Sequence, residues 1–585
     1  MNFIKNVFAT VIGIFAFLIV VFFLFAFLGA IFGGNSNGIS VEKNSVIELD
    51  LSEVSEDYGG KTKIKDFDYF ENNHNGLSDI IKGIENAKTD ENIKGISILN
   101  NTTMLGMAQI KELRIALEDF KKSGKFVYAY SNTISQKEYY LNSVANTIYM
   151  NPIGEMEFKG LSTEVMFFKD FQEKSGLKME VIRHGKYKSA VEPFLENEMS
   201  EANKQQTTEL LTSLWSSIVA DISTSRKVSI ARLNEIATGL LARTPEMAKT
   251  EKLIDKIAYE DIYHDDIREK LAVEKDEDYE TISILDYAEN VATTTTNLET
   301  NKIAIVYAQG EIADGEGDVT TIGELSMRRS LQEARKDEDI KAVVLRVNSP
   351  GGNALTSDLI WREIELTKKV KPVVVSMGTY AASGGYYIAC NANKIFAEPT
   401  TITGSIGVFG VLPNFTQAAN KFGINTVQVK THENASEYSP FVPLNDKFKA
   451  FTLESVEHIY NVFVNRVATG RKMTFEQVDE IAQGRVWSGT DALKIGLVDQ
   501  LGTMNDALKY AATLTKTDKY STVSYPEYEK NLQDIIGKFL PFAKSKENLI
   551  KQEIGIENYE MLEKIKKMQS RKGIQAIMPF EINVK

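Results

Sequence analysis

Residues 342–369 read AVVLRVNSPGGNALTSDLIWREIELTKK, and this stretch decides the fold. Its first six residues, 342–347, form a short run rich in β-branched side chains, which predicts a buried strand. Asn348-Ser349-Pro350-Gly351-Gly352 is a turn signal, and Leu355, Leu359, Ile360 and Ile364 then recur at helical spacing through 354–369. A second buried-strand run follows at 372–376, then a glycine-rich turn and an apolar helix-like stretch at 386–392. Strands alternating with helices predict a parallel sheet with crossover connections, an α/β fold.

Working outward, the same pattern occurs twice, at an offset of 247 residues. Asp90-Glu91-Asn92-Ile93-Lys94 reads against Asp337-Glu338-Asp339-Ile340-Lys341, and Tyr139-Tyr140-Leu141 against Tyr386-Tyr387-Ile388. Pro152 matches Pro399, Gly176 matches Gly423, and Pro193-Phe194 matches Pro440-Phe441. Later the offset slips by a few residues, with Arg226-Lys227 against Arg471-Lys472 and Leu253-Ile254-Asp255 against Leu497-Val498-Asp499. The chain therefore reads as a duplicated domain, 44–298 and 299–515, joined at the threonine run 293–296. Residues 516–585 show no counterpart in the first copy, read mostly as helix, and are expected to form a packing or assembly extension.

The length of 585 residues agrees with several domains. Lys+Arg 67 against Asp+Glu 80 leaves a net charge of −13, which repels phosphate backbones and argues against a nucleic-acid partner. The single cysteine, Cys390, excludes an intrachain disulfide and a cysteine-cluster metal site. The five histidines at 74, 184, 264, 432 and 458 include no helical i, i+4 pair. If the chain is an enzyme, this composition implies one that works without metal, disulfide or redox cofactor. Ahead of the repeats, 7–32 is apolar apart from Thr10 and two glycines. As a helix it would be about 39 Å long, against a hydrocarbon core of ~30 Å. One transmembrane anchor is expected at 7–32, after a short segment 1–6 and before a linker 33–43. A cleaved signal peptide is the alternative, but its apolar core is usually only ~7–15 residues. Lys5 precedes the run and no basic residue follows until Lys43, so residues 1–6 are expected in the cytoplasm and the rest outside.

Comparing the two copies position by position locates the chemistry, because a polar or glycine residue present in one copy alone is not demanded by shared packing. Ser383, in Ala382-Ser383-Gly384-Gly385, faces Gln136. It falls where a strand turns into a helix, which suits a nucleophile; a glycine-rich packing turn is the plain alternative. Ser349-Pro350-Gly351-Gly352 faces Thr102-Thr103-Met104-Leu105. The backbone N–H groups of Gly352 and Gly384 are candidates for an oxyanion hole, and a simple turn is the alternative for the first. The histidines are poor candidates for the base, since His184 and His432 lie in corresponding loops. Lysine remains. Lys188 faces Ala435, while Lys186, two residues earlier, is not excluded by spacing. A lysine base needs burial or neighbouring positive charge to bring its pKa down from ~10.4. Ser405, in Thr403-Gly404-Ser405-Ile406-Gly407, faces Phe158 and is placed to hold a neutral amine in line, or else to serve as a turn serine. One copy carries the lysine and the other the serine, so the site is expected between the repeats.

Four ordered motifs carry a family resemblance: Ser-Pro-Gly-Gly at 349–352, Ala-Ser-Gly-Gly-Tyr at 382–386, Thr-Gly-Ser-Ile-Gly at 403–407 and Tyr-Lys-Ser-Ala-Val-Glu-Pro-Phe at 187–194. With them the chain resembles the signal peptide peptidase A (protease IV) family in its long duplicated form. The resemblance implies a Clp-protease/crotonase-like fold in each copy and a Ser–Lys dyad with Ser383 as nucleophile and Lys188 as base. It further implies Ser405 as helper and Gly352 with Gly384 as oxyanion hole. Also implied are remnant signal peptides as substrates, a homotetramer, contact with membrane lipid through the anchor, and a single-pass location in a bacterial inner membrane facing the periplasm. Whether Lys188 and Ser383 meet within or between chains stays open at this level. A crotonase-type acyl-CoA enzyme and a non-catalytic membrane scaffold are the competing readings.

Overall fold

The structure, a computed structural model, describes residues 5, 13–23, 39–64, 70–294, 299–435, 438–530 and 574–578. The chain divides into two compact units, 1–42 and 43–585. In the first, residues 13–23 are helical and the apolar side chains from Ile14 to Phe23 are largely exposed. Among the described residues no helix is long and apolar enough to cross a membrane. Most of the expected anchor at 7–32, and of the segments flanking it, lies outside the described residues.

The second unit holds both repeats. In the first repeat six parallel strands lie in the order Lys256–Ile257, Thr147–Met150, Phe126–Ser131, Ile93–Leu99, Ser45–Glu48, Thr281–Ser283. In the second the order is Val486–Ser488, Ile402–Gly404, Val373–Ala382, Ile340–Ser349, Lys302–Gln309, Ser521–Tyr525. Lys394–Ala397 also pairs with Val373–Ala382, and Gln500–Leu501 pairs with Lys394–Ala397. Val343, Val344, Leu345 and Val347 have no exposed surface, as expected of a central parallel strand whose two faces are both covered. The helix that follows, Ala354–Lys368, starts on Asn353, whose Oδ1 accepts from Thr356 N at 3.0 Å. Such a cap is worth about 1 kcal/mol. This helix buries Ile360, Trp361 and Ile364 in the main core, and Pro372 just beyond its end cannot continue it.

The duplication is visible element by element. Helix Met107–Lys121 is the counterpart of Ala354–Lys368, and Glu201–Arg226 that of Asp446–Arg471, each of the latter pair 26 residues long. Both long helices close on a left-handed lysine, Lys227 at φ 56° and Lys472 at φ 57°. The preceding arginines bind equivalent carboxylates, Arg226 to Asp255 at 2.8 Å and Arg471 to Asp499 at 2.5 Å. The boundary expected at 515/516 is corrected. Ser521–Tyr525 pairs with Lys302–Gln309 as Thr281–Ser283 pairs with Ser45–Glu48, because the first strand of each sheet would otherwise leave an open edge. The extension is also not helical where it is described: Glu527–Lys530 and Gln575–Ile577 are strands.

A third sheet joins the repeats. Its strands run in the order Gly317–Asp318, Thr321–Gly323, Glu311–Ala313, Gly351–Asn353, Gln575–Ile577, Phe409–Asn414, Lys178–Arg183. The last pair is antiparallel, with Arg183 of the first repeat opposite Phe409 of the second and Lys178 opposite Asn414. This register carries the chain that follows Arg183 onto the second repeat.

Candidate active site

Ser383 sits at the end of strand Val373–Ala382, immediately before helix Gly384–Ala389. Its backbone is at φ 56°, ψ −115°, a region that costs a non-glycine residue about 1–3 kcal/mol. The sharp turn is held by Ser383 N donating to Gly404 O at 2.8 Å and by Tyr387 N donating to Ser383 O at 2.8 Å.

Lys188 lies five residues past Arg183, at the start of the 3-10 turn Ser189–Phe194. Its Nζ is 2.9 Å from Ser383 Oγ, 2.9 Å from Ser405 Oγ and 3.1 Å from Ser405 O. The two repeats thus meet at these side chains within one chain. Lys188 is wholly buried, and its polar partners are hydroxyls and a carbonyl, with no carboxylate among them in the described residues. Burial alone holds its amine well below the usual lysine range. Two glycines make room for the stem: Gly407, the last residue of the 403–407 motif, and Gly484, which the sequence reading did not single out. A Cβ on Gly484, at φ 83°, would stand 2.6 Å from Lys188 Cβ, and one on Gly407 3.3 Å from its Cδ. Gly484 bears no reactive group, so no chemical pattern marks it in the sequence. Lys186 is exposed, with its Nζ over the Tyr187 ring at 5.0 Å, and is not part of this cluster.

Ser405 has a positive φ of 50°, and its N–H donates to Arg485 O at 2.6 Å, which fixes both its hydroxyl and its carbonyl toward Lys188. The remaining contact of Ser383 Oγ is the Gly407 carbonyl at 3.5 Å. His184 stacks on Tyr460 at 4.1 Å and His432 bonds Thr431, so neither histidine replaces Lys188. Gly352 and Gly384 come together: Gly352 N is 3.2 Å from the place a Gly384 Cβ would take. The serine of the preceding turn, Ser349, accepts from Gly351 N at 3.1 Å and holds the loop in shape.

The corresponding place in the first repeat is filled. Gln136, opposite Ser383 in the repeat register, is buried and accepts from Lys159 N and Gly160 N, both at 2.9 Å. Phe158, opposite Ser405, packs on Tyr139 at 5.8 Å and Trp215 at 5.5 Å. Among the described residues the second repeat therefore carries this polar cluster and the matching place in the first does not.

A cavity of about 750 Å³ lies between helix Glu201–Arg226 and the second repeat, lined by Gln206, Leu210, Ser213, Thr400, Val486 and Trp487 among others. It shares Leu210 and Val486 with an apolar cluster that includes Ala382, next to Ser383.

The family model described as peptidase family S49 matches residues 119–274 and 365–518, once in each repeat. The chain is 36% identical to "Protease 4" of Salmonella typhi over 472 residues, 79% of this chain and 75% of that one. It is 37% identical to "Protease 4" of Haemophilus influenzae, over 74% and 72% of the two chains. To "Serine protease SPPA, chloroplastic" of Arabidopsis thaliana it is 33% identical, over 79% and 69%. A mutant ClpP1 from Listeria monocytogenes aligns with 35% of this chain and 94% of its own, at 17% identity and a TM-score of 0.24, too low for the fold to rest on it. The two matched segments, the relatives that span most of the chain and the α/β duplication agree: this chain belongs to peptidase family S49 and is a serine peptidase.

Proposed function

We propose that the chain is a membrane-anchored endopeptidase that degrades remnant signal peptides, with Ser383 as nucleophile and Lys188 as general base. The observation that carries this reading is the wholly buried Lys188 Nζ, delivered by one repeat to within 2.9 Å of the serine of the other. In its neutral form the amine donates its two N–H groups to Ser405 O and Ser405 Oγ, and its lone pair faces the Ser383 hydroxyl. It takes that proton as Oγ attacks a peptide carbonyl. The N–H groups of Gly352 and Gly384 stabilise the oxyanion. Lys188 then protonates the leaving amine, and water, activated by the same amine, releases the acyl group. Apolar walls beside the pair suit an apolar peptide: Val191 and Phe409 in one cluster, and Leu210, Leu214, Ile402 and Val486 in another. Membership of a peptidase family sets aside the acyl-CoA and scaffold readings. Labelling of Ser383 by a fluorophosphonate, lost in Ser383→Ala, tests the nucleophile; labelling that persists in that variant sinks it.

Two further results are expected. The base must be neutral, so kcat/KM rises with pH through the lowered pKa of Lys188 and falls as acid protonates it. Stability follows the same sign. The folded state binds fewer protons than the unfolded chain in the window between that lowered value and the ordinary 10.5, so stability rises with pH across it. Ser405→Ala removes one acceptor from the amine and lowers kcat about 10–100-fold with a shifted pH profile, measured on a fluorogenic peptide.

The anchor, the periplasmic orientation and the homotetramer belong to the same proposal. Repeat symmetry supports association. Lys178–Arg183 pairs with Phe409–Asn414 within the chain, yet its counterpart 425–430 pairs with no strand among the described residues. There Val427 and Val429 are 87% and 98% exposed. The counterpart of 409–414 is 162–167, an extended segment of alternating exposure and likewise outside any sheet. Pairing of 425–430 in one copy with 162–167 in the next repeats the internal contact between chains. Val427→Asp with Val429→Asp is expected to convert the assembly to monomer in light scattering; an unchanged mass refutes the pairing.

A further inference from the structure

The Lys188 amine is bonded to hydroxyls and a carbonyl, with no ion pair among the described residues, so its place depends on the backbone that carries it. One buried side chain grips that backbone on both sides of the lysine. Gln206, on helix Glu201–Arg226, is 1% exposed. Its Nε2 donates to Tyr187 O at 3.1 Å and to Ser189 Oγ at 2.8 Å, in the residues directly before and after Lys188. Its Oε1 accepts from Val486 N at 3.4 Å. Tyr187 O can only accept and Val486 N can only donate, so a single orientation of the amide satisfies both.

The far end of this bridge is the segment that holds Ser405. Val486 lies opposite Gly404 in the sheet, Ser405 N donates to Arg485 O at 2.6 Å, and Gly484 N donates to Ile406 O at 2.8 Å. The same segment meets the lysine turn directly, with Tyr187 N donating to Gln483 O at 2.9 Å. Residues 483–486 therefore tie the lysine to the serine beside it, and Gln206 closes the ring from the helix side. Behind it Asn203, 2% exposed, accepts from Gln206 Nε2 at 3.2 Å and donates to Glu192 Oε2 at 2.6 Å. Glu192 is the one acid of the turn Ser189–Phe194, and its carboxylate is thereby bound to the helix and not to the Lys188 amine.

The repeat comparison shows that packing does not demand this amide pair. Helix Asp446–Arg471 matches Glu201–Arg226 over 26 residues and carries Phe451 where the first has Gln206, and Phe448 where it has Asn203. Only the helix of the repeat that carries the lysine has the buried amides. Gln206 also lines the cavity of about 750 Å³, which makes substrate binding the competing role.

We infer that Gln206 is a positioning residue for the general base, holding the Lys188 amine within reach of both Ser383 and Ser405. The inference rests on the Ser383–Lys188 reading. Proton transfer needs Nζ at hydrogen-bond distance from Ser383 Oγ, and a displacement of about 1 Å costs roughly 100-fold in rate. Gln206 acts through Lys188 and not on the substrate, so its loss falls on kcat and not on KM.

The test is peptide turnover by the full chain, purified in detergent, for the native protein, Gln206→Met, Gln206→Glu and Lys188→Met, on a fluorogenic peptide. Methionine keeps the length of the side chain and removes its hydrogen bonds, and kcat is expected to fall about 10–100-fold with KM within about twofold. Glutamate keeps the shape: its carboxyl donates to Tyr187 O while protonated and repels it once ionised. The kcat of Gln206→Glu relative to the native protein at the same pH is therefore expected to fall as pH rises. Should Gln206→Met fail to fold, this ratio decides alone. A native-like kcat in Gln206→Met overturns the inference, as does a loss confined to KM, which assigns the residue to substrate binding, or a Gln206→Glu ratio that is flat with pH. Turnover retained in Lys188→Met removes the dyad and this inference with it. Turnover lost there and native-like in Gln206→Met removes the positioning role and leaves the dyad standing.

Discussion

Ser383→Ala and Lys188→Met each lower kcat for a fluorogenic peptide by about 10⁴-fold or more, and the double variant is no worse than either single one. The non-additivity is the informative part. Serine without a base has a hydroxyl too weakly acidic to attack, and the amine without the serine has nothing to activate, so the two act as a unit. Methionine is chosen at 188 because the stem is packed against Gly407 and Gly484 and the site is already dry. An apolar chain of similar length fills that tunnel, and the variant is expected to melt within a few degrees of the native protein. Lys186→Met is the matched control: its amine is exposed on the Tyr187 ring, and turnover should stay within about twofold. Loss of activity in Lys186→Met equal to that in Lys188→Met would remove Lys188 from its assigned role.

Arg346→Ala is the most destabilising single change expected, by about 3–5 kcal/mol. Arg346 is on strand Ile340–Ser349 of the second repeat and is buried. Its guanidinium binds Asp57 at 2.9 and 3.1 Å and Glu112 at 2.7 and 3.2 Å, both from the first repeat, and Ser376 Oγ at 2.9 Å. Removing it leaves two carboxylates in the interior without a counter-charge. The environment is already hostile to negative charge, as burial pushes the carboxyls of Glu56 and Glu398 up to about 8. The orphaned groups in the variant therefore favour the protonated form. A carboxyl whose folded pKa is raised binds more protons folded than unfolded, so the variant loses stability as pH rises above the unfolded carboxyl value of ~4. The deficit against the native protein should be largest near pH 7–8 and shrink toward pH 5, read from urea midpoints. A deficit independent of pH would mean that lost packing, not charge, is what the arginine supplies.

Much of the fold was legible because the chain states it twice. The strand at 342–347 and the helix from 354 appear as expected, the helix ending one residue earlier at Lys368, whereas the expected turn at 348–352 is strand on both sides of Pro350. The comparison of the two copies also picked out Ser383, Lys188 and Ser405, since Gln136, Ala435 and Phe158 stand opposite them. The described tail segments 521–525, 527–530 and 575–577 are strands where the sequence reads mostly as helix, and 531–573 lie outside the described residues. Residues 521–525 become a strand because an open sheet edge is available to them, and sheet pairing is non-local.

Taken alone, the amino-acid order determined an α/β duplication, an apolar N-terminal segment and a serine and lysine carried by different repeats. It could not choose between Lys186 and Lys188, which sit two residues apart with the same chemistry. The tertiary structure separates the two by burial: one amine is in water, and the other is enclosed between two serines where desolvation depresses its pKa. Tertiary structure also decided that Gln575–Ile577 pairs with Gly351–Asn353, because strand register is a relation between segments more than 200 residues apart and leaves no mark on either one.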